Sequence, residues 1–347
     1  MEQLYKKEIS LFKEKKDWFS FLALVGLIAV LPPFLSDRIL TIFTMIGIAI
    51  VSVHGLNLLT GYCGQVSLGH VGFMAVGAYI SAVLTSKSGL SFWIALPLAG
   101  LGAGVAGLIF GLPSLRIKGF YLIMSTVAAH FIVIWLVIQL HDITGGSDGL
   151  AVPKPKIGSL VFNTKAKYFY LVSFFAIIST IVAHNIARGR VGRAFIAIRD
   201  HEIAAEVMGI NLWIYKLQAF FVGCVYAGVA GALLVHYFGF ASVDQFPFID
   251  SVWYLAMLIV GGMGSTFGAV VGAICLKLLD ELVTIVGPIL AKAFPAVAAQ
   301  FAASLSLIVR GVIIAVFLIF EPRGLLHRWD LVKSYFRLWP FSTEETD

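Results

Sequence analysis

The chain has 347 residues, 59% of them hydrophobic and only 13% charged. A soluble domain carries about twice that share of charge, so composition excludes one here and points to a polytopic membrane protein. The formal net charge of +6 sits in connecting segments, where it reports membrane orientation and not nucleic-acid binding.

The first 17 residues form a Lys- and Glu-rich arm, and an apolar run follows at about 18–35. It has no small-x-small cleavage pattern, so it reads as an uncleaved first span and not as a signal peptide. Further spans are predicted at 38–59, 69–86, 91–112, 119–139, 168–187, 215–238, 249–262, 266–286 and 301–320. All but 249–262 are near the ~20 residues that a helix needs to cross hydrocarbon. The expected fold is therefore all-α: a transmembrane helical bundle of about ten spans in one domain, 18–326, followed by a tail, 327–347. Short alternating strands, the signature of a membrane barrel, do not occur. Lys and Arg concentrate in segments that this topology puts inside, including Arg116, Lys118, residues 188–216, Arg323, Arg328, Lys333 and Arg337. Both termini are expected to face the cytoplasm.

Residues 55–79 interleave six glycines with Gln65, Ser67 and His70. Glycines let helices approach closely, and they permit non-helical turns where protein or a water-filled cavity satisfies the backbone. Gln65, Ser67 and His70 are thus candidates for a translocation path; the plainer reading is helix packing with polar groups bonded to nearby backbone. Ser125 and Thr126 in the fifth span have the same two readings, the second being a hydrogen bond to the preceding helical turn. Thr144 belongs to TGGSDGL (144–150), which Gly, Ser and Asp mark as a turn-rich external loop. A faint internal echo relates LLTGYCGQVSLGHVG (58–72) to LIVGGMGSTFGAVVG (258–272), with glycines at 61/261, 64/264 and 72/272. Duplicated transporters place such broken helices beside the substrate route, which adds Gly261 and Gly264 to the path candidates.

The connector 188–216 is far longer than two membrane helices need. It reads RGRVGRAFIAIRDHEIAAEVMGINLWIYK. Asp200 is a plausible helix cap, Glu202 puts negative charge in the first turn, and Gly209 suits a left-handed stop. Helical spacing groups Ala194, Ala197, Ile198, Ala204, Ala205 and Met208 on one face, and Arg199, Glu202 and Glu206 on another. Carboxylates interleaved with Arg193 and Arg199 argue against a segment that merely lies on anionic headgroups. Docking on another protein fits better.

Lys277, Asp280 and Glu281 fall in the ninth span, at a spacing that permits a Lys277–Glu281 pair. Arg310 falls in the tenth, where an unpaired charge costs at least ~2.5–3.5 kcal/mol. Arg310 is expected to pair with Asp280 or Glu281; an ion relay is the sharper alternative. Cys63, Cys224 and Cys275 are too scattered for a disulfide framework or a metal site. The histidines are dispersed, so no catalytic grouping and no metal ligand set emerge.

GRAFIAIRDHEIAAEVMGI (192–210) resembles the coupling segment of ABC importer permeases, in particular the branched-chain amino-acid permease family (LivM-like subunits). GLNLLTGYCGQVSLGHVGFMAVGAY (55–79), TGGSDGL (144–150), LIVGGMGSTFGAVVGA (258–273) and FEPRGLL (320–326) carry the same resemblance. Departures at His130 and in the N-terminal arm bear on substrate identity. The resemblance implies a multi-pass subunit of a bacterial-type inner membrane that contacts lipid and no nucleic acid. It also implies a sister permease, two ATPase subunits that hold ATP, and an extracytoplasmic solute-binding protein. Arg193, Arg199, Asp200, Glu202, Ala204, Ala205, Glu206 and Gly209 would then face the ATPase. No Gly-Lys dipeptide occurs, so the chain lacks a phosphate-binding loop and would hold no cofactor itself. Branched-chain or related amino acids are the expected cargo, with urea or short amides as the alternative. An ion-coupled secondary transporter is the competing class.

Overall fold

The structure is a computed structural model that describes residues 32–115, 119–158, 160–293, 308–312, 315–316, 319 and 324–325, with residues 26, 28 and 30. The arm 1–17, most of the expected spans 18–35 and 301–320, and the tail 327–347 lie outside the described residues, as do Arg116 and Lys118.

Helix α1 (Asp37–Leu56) continues through a π-helical turn, Asn57–Tyr62. It is followed by α2 (His70–Ser86), α3 (Phe92–Gly111), α4 (Phe120–Gln139) and α5 (Lys165–Arg188). Two short helices, α6 (Arg190–Asp200) and α7 (Glu202–Val207), precede α8 (Leu212–Phe238), α9 (Phe248–Gly261) and α10 (Thr266–Ala293). Among the described residues, six helical stretches are long and apolar enough to cross a membrane: Asp37–Tyr62, Phe92–Gly111, Phe120–Gln139, Lys165–Arg188, Leu212–Phe238 and Val243–Gly261. The protein is thus a multi-pass helical membrane protein.

Successive long helices run in alternating directions between two ends of the bundle. At one end Lys165 faces Asp37 at 3.8 Å, the Tyr237 hydroxyl meets Thr41 Oγ1 at 2.9 Å, and Trp93 Nε1 donates to Lys156 O at 3.0 Å. Two small antiparallel ladders complete this end: β1 (Leu150–Ala151) with β4 (Phe240–Ala241), and β2 (Lys156–Ile157) with β3 (Leu160–Val161). Lys154 Nζ donates to the carbonyls of Tyr237 (2.5 Å) and His236 (3.4 Å), where a cation complements the negative end of α8. Burial holds the Lys154 ammonium pKa below its ordinary value. The opposite end carries α6, α7 and the breaks after Tyr62 and Gly261.

Helix α8 is central: it packs on α1, α2 and α3. In its most apolar window 72% of residues are buried, against 33% in α4 and in α5, which present Phe131, Trp135 and Phe174 outward. Close approach explains why small residues line α8. A Cβ on Gly228 would sit 2.5 Å from Ala103 Cβ and 2.8 Å from Ala99 O, and Gly77 of α2 abuts Gly228 from the other side. Without a hydrophobic drive between helices in lipid, such contacts and interhelical hydrogen bonds carry the packing. Examples of the latter are Tyr168 OH to Leu233 O (2.6 Å), Tyr226 OH to Ser179 O (3.0 Å) and His54 Nε2 with Thr180 Oγ1 (2.8 Å).

Candidate functional site

The connector 188–216 folds as two short helices, α6 and α7, that meet at His201 in extended backbone. Gly189 precedes α6, whose Gly192, Ala194, Phe195 and Ile198 are buried against the bundle. Asp200 does not cap the second helix, as its sequence position led us to expect. It ends α6, and its carboxylate is held by Arg199 (Nε 2.9 Å, Nη2 2.8 Å). His201 takes the capping role instead, with Nδ1 accepting from Ala204 N at 3.3 Å. Helix α7 then stops in a Schellman arrangement: Ile210 N donates to Ala205 O (3.0 Å) and Gly209 N to Glu206 O (2.9 Å), with Gly209 at φ +83°.

The expected apolar face is corrected by this turn. Ala205 is buried, but Ala204 is exposed, and Met208 is 82% exposed beside Val207 (81%) and Ile203 (66%). One long helix would have put Met208 in line with Ala197; the bend at His201 turns it into solvent. Arg193 and Glu206 are exposed as well, Arg193 Nη1 donating to Arg188 O at 3.2 Å. Glu202 points inward and pairs with Lys216, whose side chain is almost wholly buried. That ion pair fastens α7 to α8.

Arg199 joins this segment to the core. Its Nη1 donates to Gly61 O at 2.9 Å, in the π turn that ends α1. A Cβ on Gly64 would lie 3.0 Å from Arg199 Cγ, and one on Gly264 2.8 Å from Arg199 Nη1. The two echoing glycine segments thus meet each other and the same arginine. Asn57 locks them together: its Nδ2 donates to Ser265 O (2.9 Å) and its Oδ1 accepts from Gly264 N (3.0 Å). Tyr62 OH meets Thr266 Oγ1 at 3.2 Å. Gly64 and Gly264 have φ of +73° and +77°, a region that glycine enters without steric cost. Sequence reasoning passed over Asn57; a lone amide one turn ahead of Gly61 in an apolar span was the available signal.

After the first break the chain re-enters the bundle as a non-helical stretch, 63–69. His70 Nε2 lies 3.0 Å from both Ser52 O and Ser52 Oγ, about 15 Å along α1 from Tyr62 at ~1.5 Å per residue. Helix α2 therefore starts deep within the bundle. Leu68 N donates to Thr126 Oγ1 (3.0 Å) and Val71 N to Ser251 Oγ (3.1 Å), so neighbouring side chains satisfy backbone groups that hydrocarbon could not. Gln65, Ser67 and His70 are all buried, and Ser67 Oγ has no hydrogen-bond partner among the described residues.

The path candidates do not converge on one cavity. Gln65 lines a small cavity of about 190 Å³ beside Gly64, Arg199, Glu202 and Lys216. Thr126 is spent on Leu68 N, and Ser125 is only partly buried next to it. Thr144 lies at the far end and folds its own turn, donating to Val137 O (2.6 Å) and accepting from Gly146 N (3.1 Å). Gly261 packs directly against the Gly268 carbonyl.

A second cavity, about 260 Å³, lies between α1, α2, α8, α9 and α10 and includes Asp250 and Lys277. Behind it, Arg310 Nε and Nη2 reach Asp280 Oδ1 at 2.8 and 2.7 Å, and the guanidinium lies 5.3 Å over the Trp253 ring. Arg310 Nη1 is 3.8 Å from Asp250 Oδ1. Glu281 turns away to Arg38 at the start of α1, so the Lys277–Glu281 pair that helical spacing allowed does not form. Asp250 was missed because it stands at the edge of its span, where a charge is unremarkable.

A profile for the family described as "Branched-chain amino acid transport system / permease component" matches residues 38–318, which take in the coupling segment, both glycine breaks and the second cavity. The chain belongs to this family. It is 36% identical over 287 residues to the high-affinity branched-chain amino acid transport system permease protein LivM of Escherichia coli (strain K12), covering 76% of this chain and 68% of that relative. The probable branched-chain amino acid transport permease protein LivM of Methanocaldococcus jannaschii is 24% identical over 195 residues, 55% of this chain and 56% of the relative. The permease protein LivH of E. coli is 23% identical over 247 residues, 66% and 79% respectively. No solved structure matches the chain.

Proposed function

We propose that this protein is the permease subunit of an ATP-driven uptake system for branched-chain or related amino acids, and that α6 and α7 transmit the stroke of a separate ATPase. The carrying observation is the two-sidedness of that segment. Its outer side exposes Ile203, Val207 and Met208, an apolar patch on a helix too short to be stable alone. Its inner side is bonded through Arg199 and Glu202 to the π turn and to α8. A push on the patch reaches both glycine breaks without passing through any flexible connection.

In this reading the end that carries α6 and α7 faces the cytoplasm, as do both termini, and about ten spans cross an inner membrane. ATP is held by two partner ATPases. Similarity to both LivM and LivH relatives supports a heterodimer with a sister permease. An extracytoplasmic binding protein delivers solute at the opposite end.

The test uses proteoliposomes containing the whole complex and its binding protein. Glu202→Lys, which removes the partner of buried Lys216, and Gly209→Val, which forbids φ +83°, should each abolish ATP-driven leucine uptake while the chain remains membrane-inserted. Normal uptake by both variants would overturn the docking assignment. The charge cluster at Asp250, Lys277, Asp280 and Arg310 favours one rival, an ion-coupled carrier. That rival requires accumulation of solute by this chain alone, without ATP.

A further inference from the structure

We propose that the cavity between Asp250 and Lys277 is a binding site, inside this permease, for a single zwitterionic amino acid with an uncharged aliphatic side chain. The inference rests on the uptake reading above and names its substrate class from the cavity's own chemistry.

The charges come first. Arg310 gives two of its donors to Asp280 and stands 3.8 Å from Asp250, too far for a hydrogen bond. Asp250 and Lys277 both line the cavity, and neither side chain makes a hydrogen bond among the described residues. Gln245 is in the same wall, with Nε2 committed to Phe240 O at 3.1 Å and a buried Oε1 that has no donor among the described residues. The cavity therefore offers two acceptors on the 245–250 stretch and a three-donor ammonium on α10. Charges at this depth are costly even in a cluster, and natural membrane proteins keep them there where they serve a substrate or ion pathway.

Opposite charges on separate elements match the two ends of an amino-acid zwitterion. Its ammonium would donate to Asp250 and Gln245 Oε1, and its carboxylate would accept from Lys277. Most of the remaining wall is apolar, with Ile48, Met74 and Phe246 prominent, and suits an aliphatic side chain. A volume of about 260 Å³ falls just under the ~300–1,000 Å³ that hold drug-sized ligands, so one small solute fits and a peptide does not. An anionic side chain would meet no second cation among the residues that line the cavity, and the further carboxylate there, Asp244, is exposed and lies 3.5 Å from Ser242 Oγ. The wall is built by α1, α2, α8 and α10 together, so movement of the glycine breaks at the other end of α1 and α10 changes the cavity's shape.

The test is binding to the membrane complex purified through a tag on this chain and held in nanodiscs, with no binding protein present. Tritiated leucine should bind saturably. Leucinamide, which lacks the carboxylate, and 4-methylpentanoate, which lacks the ammonium, should compete about tenfold or more weakly than valine or isoleucine, the scale expected when a buried polar partner is left unpaired. Lys277→Gln should erase the preference for leucine over leucinamide and keep the preference over 4-methylpentanoate; Asp250→Asn should do the reverse. Should either variant fail to assemble, Met74→Cys in the otherwise unchanged chain provides the readout: leucine, but not leucinamide, should slow its alkylation by a maleimide. Absence of both saturable binding and protection overturns the inference, as does saturable binding by both variants with the analogue ranking unchanged. ATP-driven leucine uptake by the complete system separates the two readings. Uptake without binding sinks the cavity alone, whereas no uptake sinks the transport assignment whatever the cavity holds.

Discussion

The two glycine breaks carry nearly the same pattern and do different things. After Gly261 the chain turns over 262–265 and resumes as α10 at once. After Tyr62 it travels through 63–69 back into the bundle before α2 begins at His70. The difference lies in the surroundings. Residues 63–69 find Thr126 and Ser251 as partners for their backbone groups, and Thr60 Oγ1 donates to Gln65 O at 3.0 Å. At the second break Gly268, Gly261 and Gly272 approach so closely that no room remains for an inserted strand. A shared motif thus gives a re-entrant stretch where there is space and polar neighbours satisfy its backbone, and a plain turn where close glycine packing leaves no space.

Three substitutions would sharpen or break that contrast. The largest effect is expected at the crossing itself. Gly61→Ala places a Cβ 2.6 Å from the Gly264 backbone nitrogen and against Asn57 Oδ1, prying the breaks apart. A loss of about 3–5 kcal/mol, read as failed assembly in a detergent-stability assay, would match other severe steric insertions. An assembled, fully active Gly61→Ala protein would show that the breaks are not rigidly joined.

Next comes the charge cluster behind the cavity. Arg310→Ala leaves Asp280 without its bidentate partner and should lower assembly yield, with a cost of about 3–5 kcal/mol if the pair is fully desolvated and less at its observed partial exposure. Arg310→Asp combined with Asp280→Arg should recover part of the yield, whereas no recovery would remove the pairing from the account.

The smallest effect tests the re-entrant stretch. Thr126→Val keeps the shape of the side chain but leaves Leu68 N–H without an acceptor, at about 1–3 kcal/mol. It should increase hydrogen exchange at Leu68 and leave α10 unaltered. Equal changes at both breaks would mean that they open as one unit.

Much of this architecture is legible in the sequence. Hydrophobic length alone placed α1 to α5, α8, α9 and the start of α10 within a few residues, because a helix crossing lipid has no other way to satisfy its backbone; α10 runs on to Ala293, past the predicted end at 286. The capping signals of the coupling segment were legible too, though Asp200 and His201 exchanged roles. Cap preference is a local bias, and the Arg199 guanidinium outbid it for the Asp200 carboxylate. The exposure of Met208 was hidden because periodicity assumes one continuous helix, and a bend at His201 resets the phase.

Composition and spacing determined that the chain is an integral helical protein with a long structured connector and two similar glycine breaks. Those properties are local or additive along the chain. Only the tertiary structure decided that both breaks converge on Arg199, that Glu281 leaves Lys277 for Arg38, and that Asp250 and Lys277 face one cavity. Each of these joins residues far apart in sequence, and which polar group finds which partner depends on helix rotation and depth, quantities that a one-dimensional hydrophobic pattern does not encode.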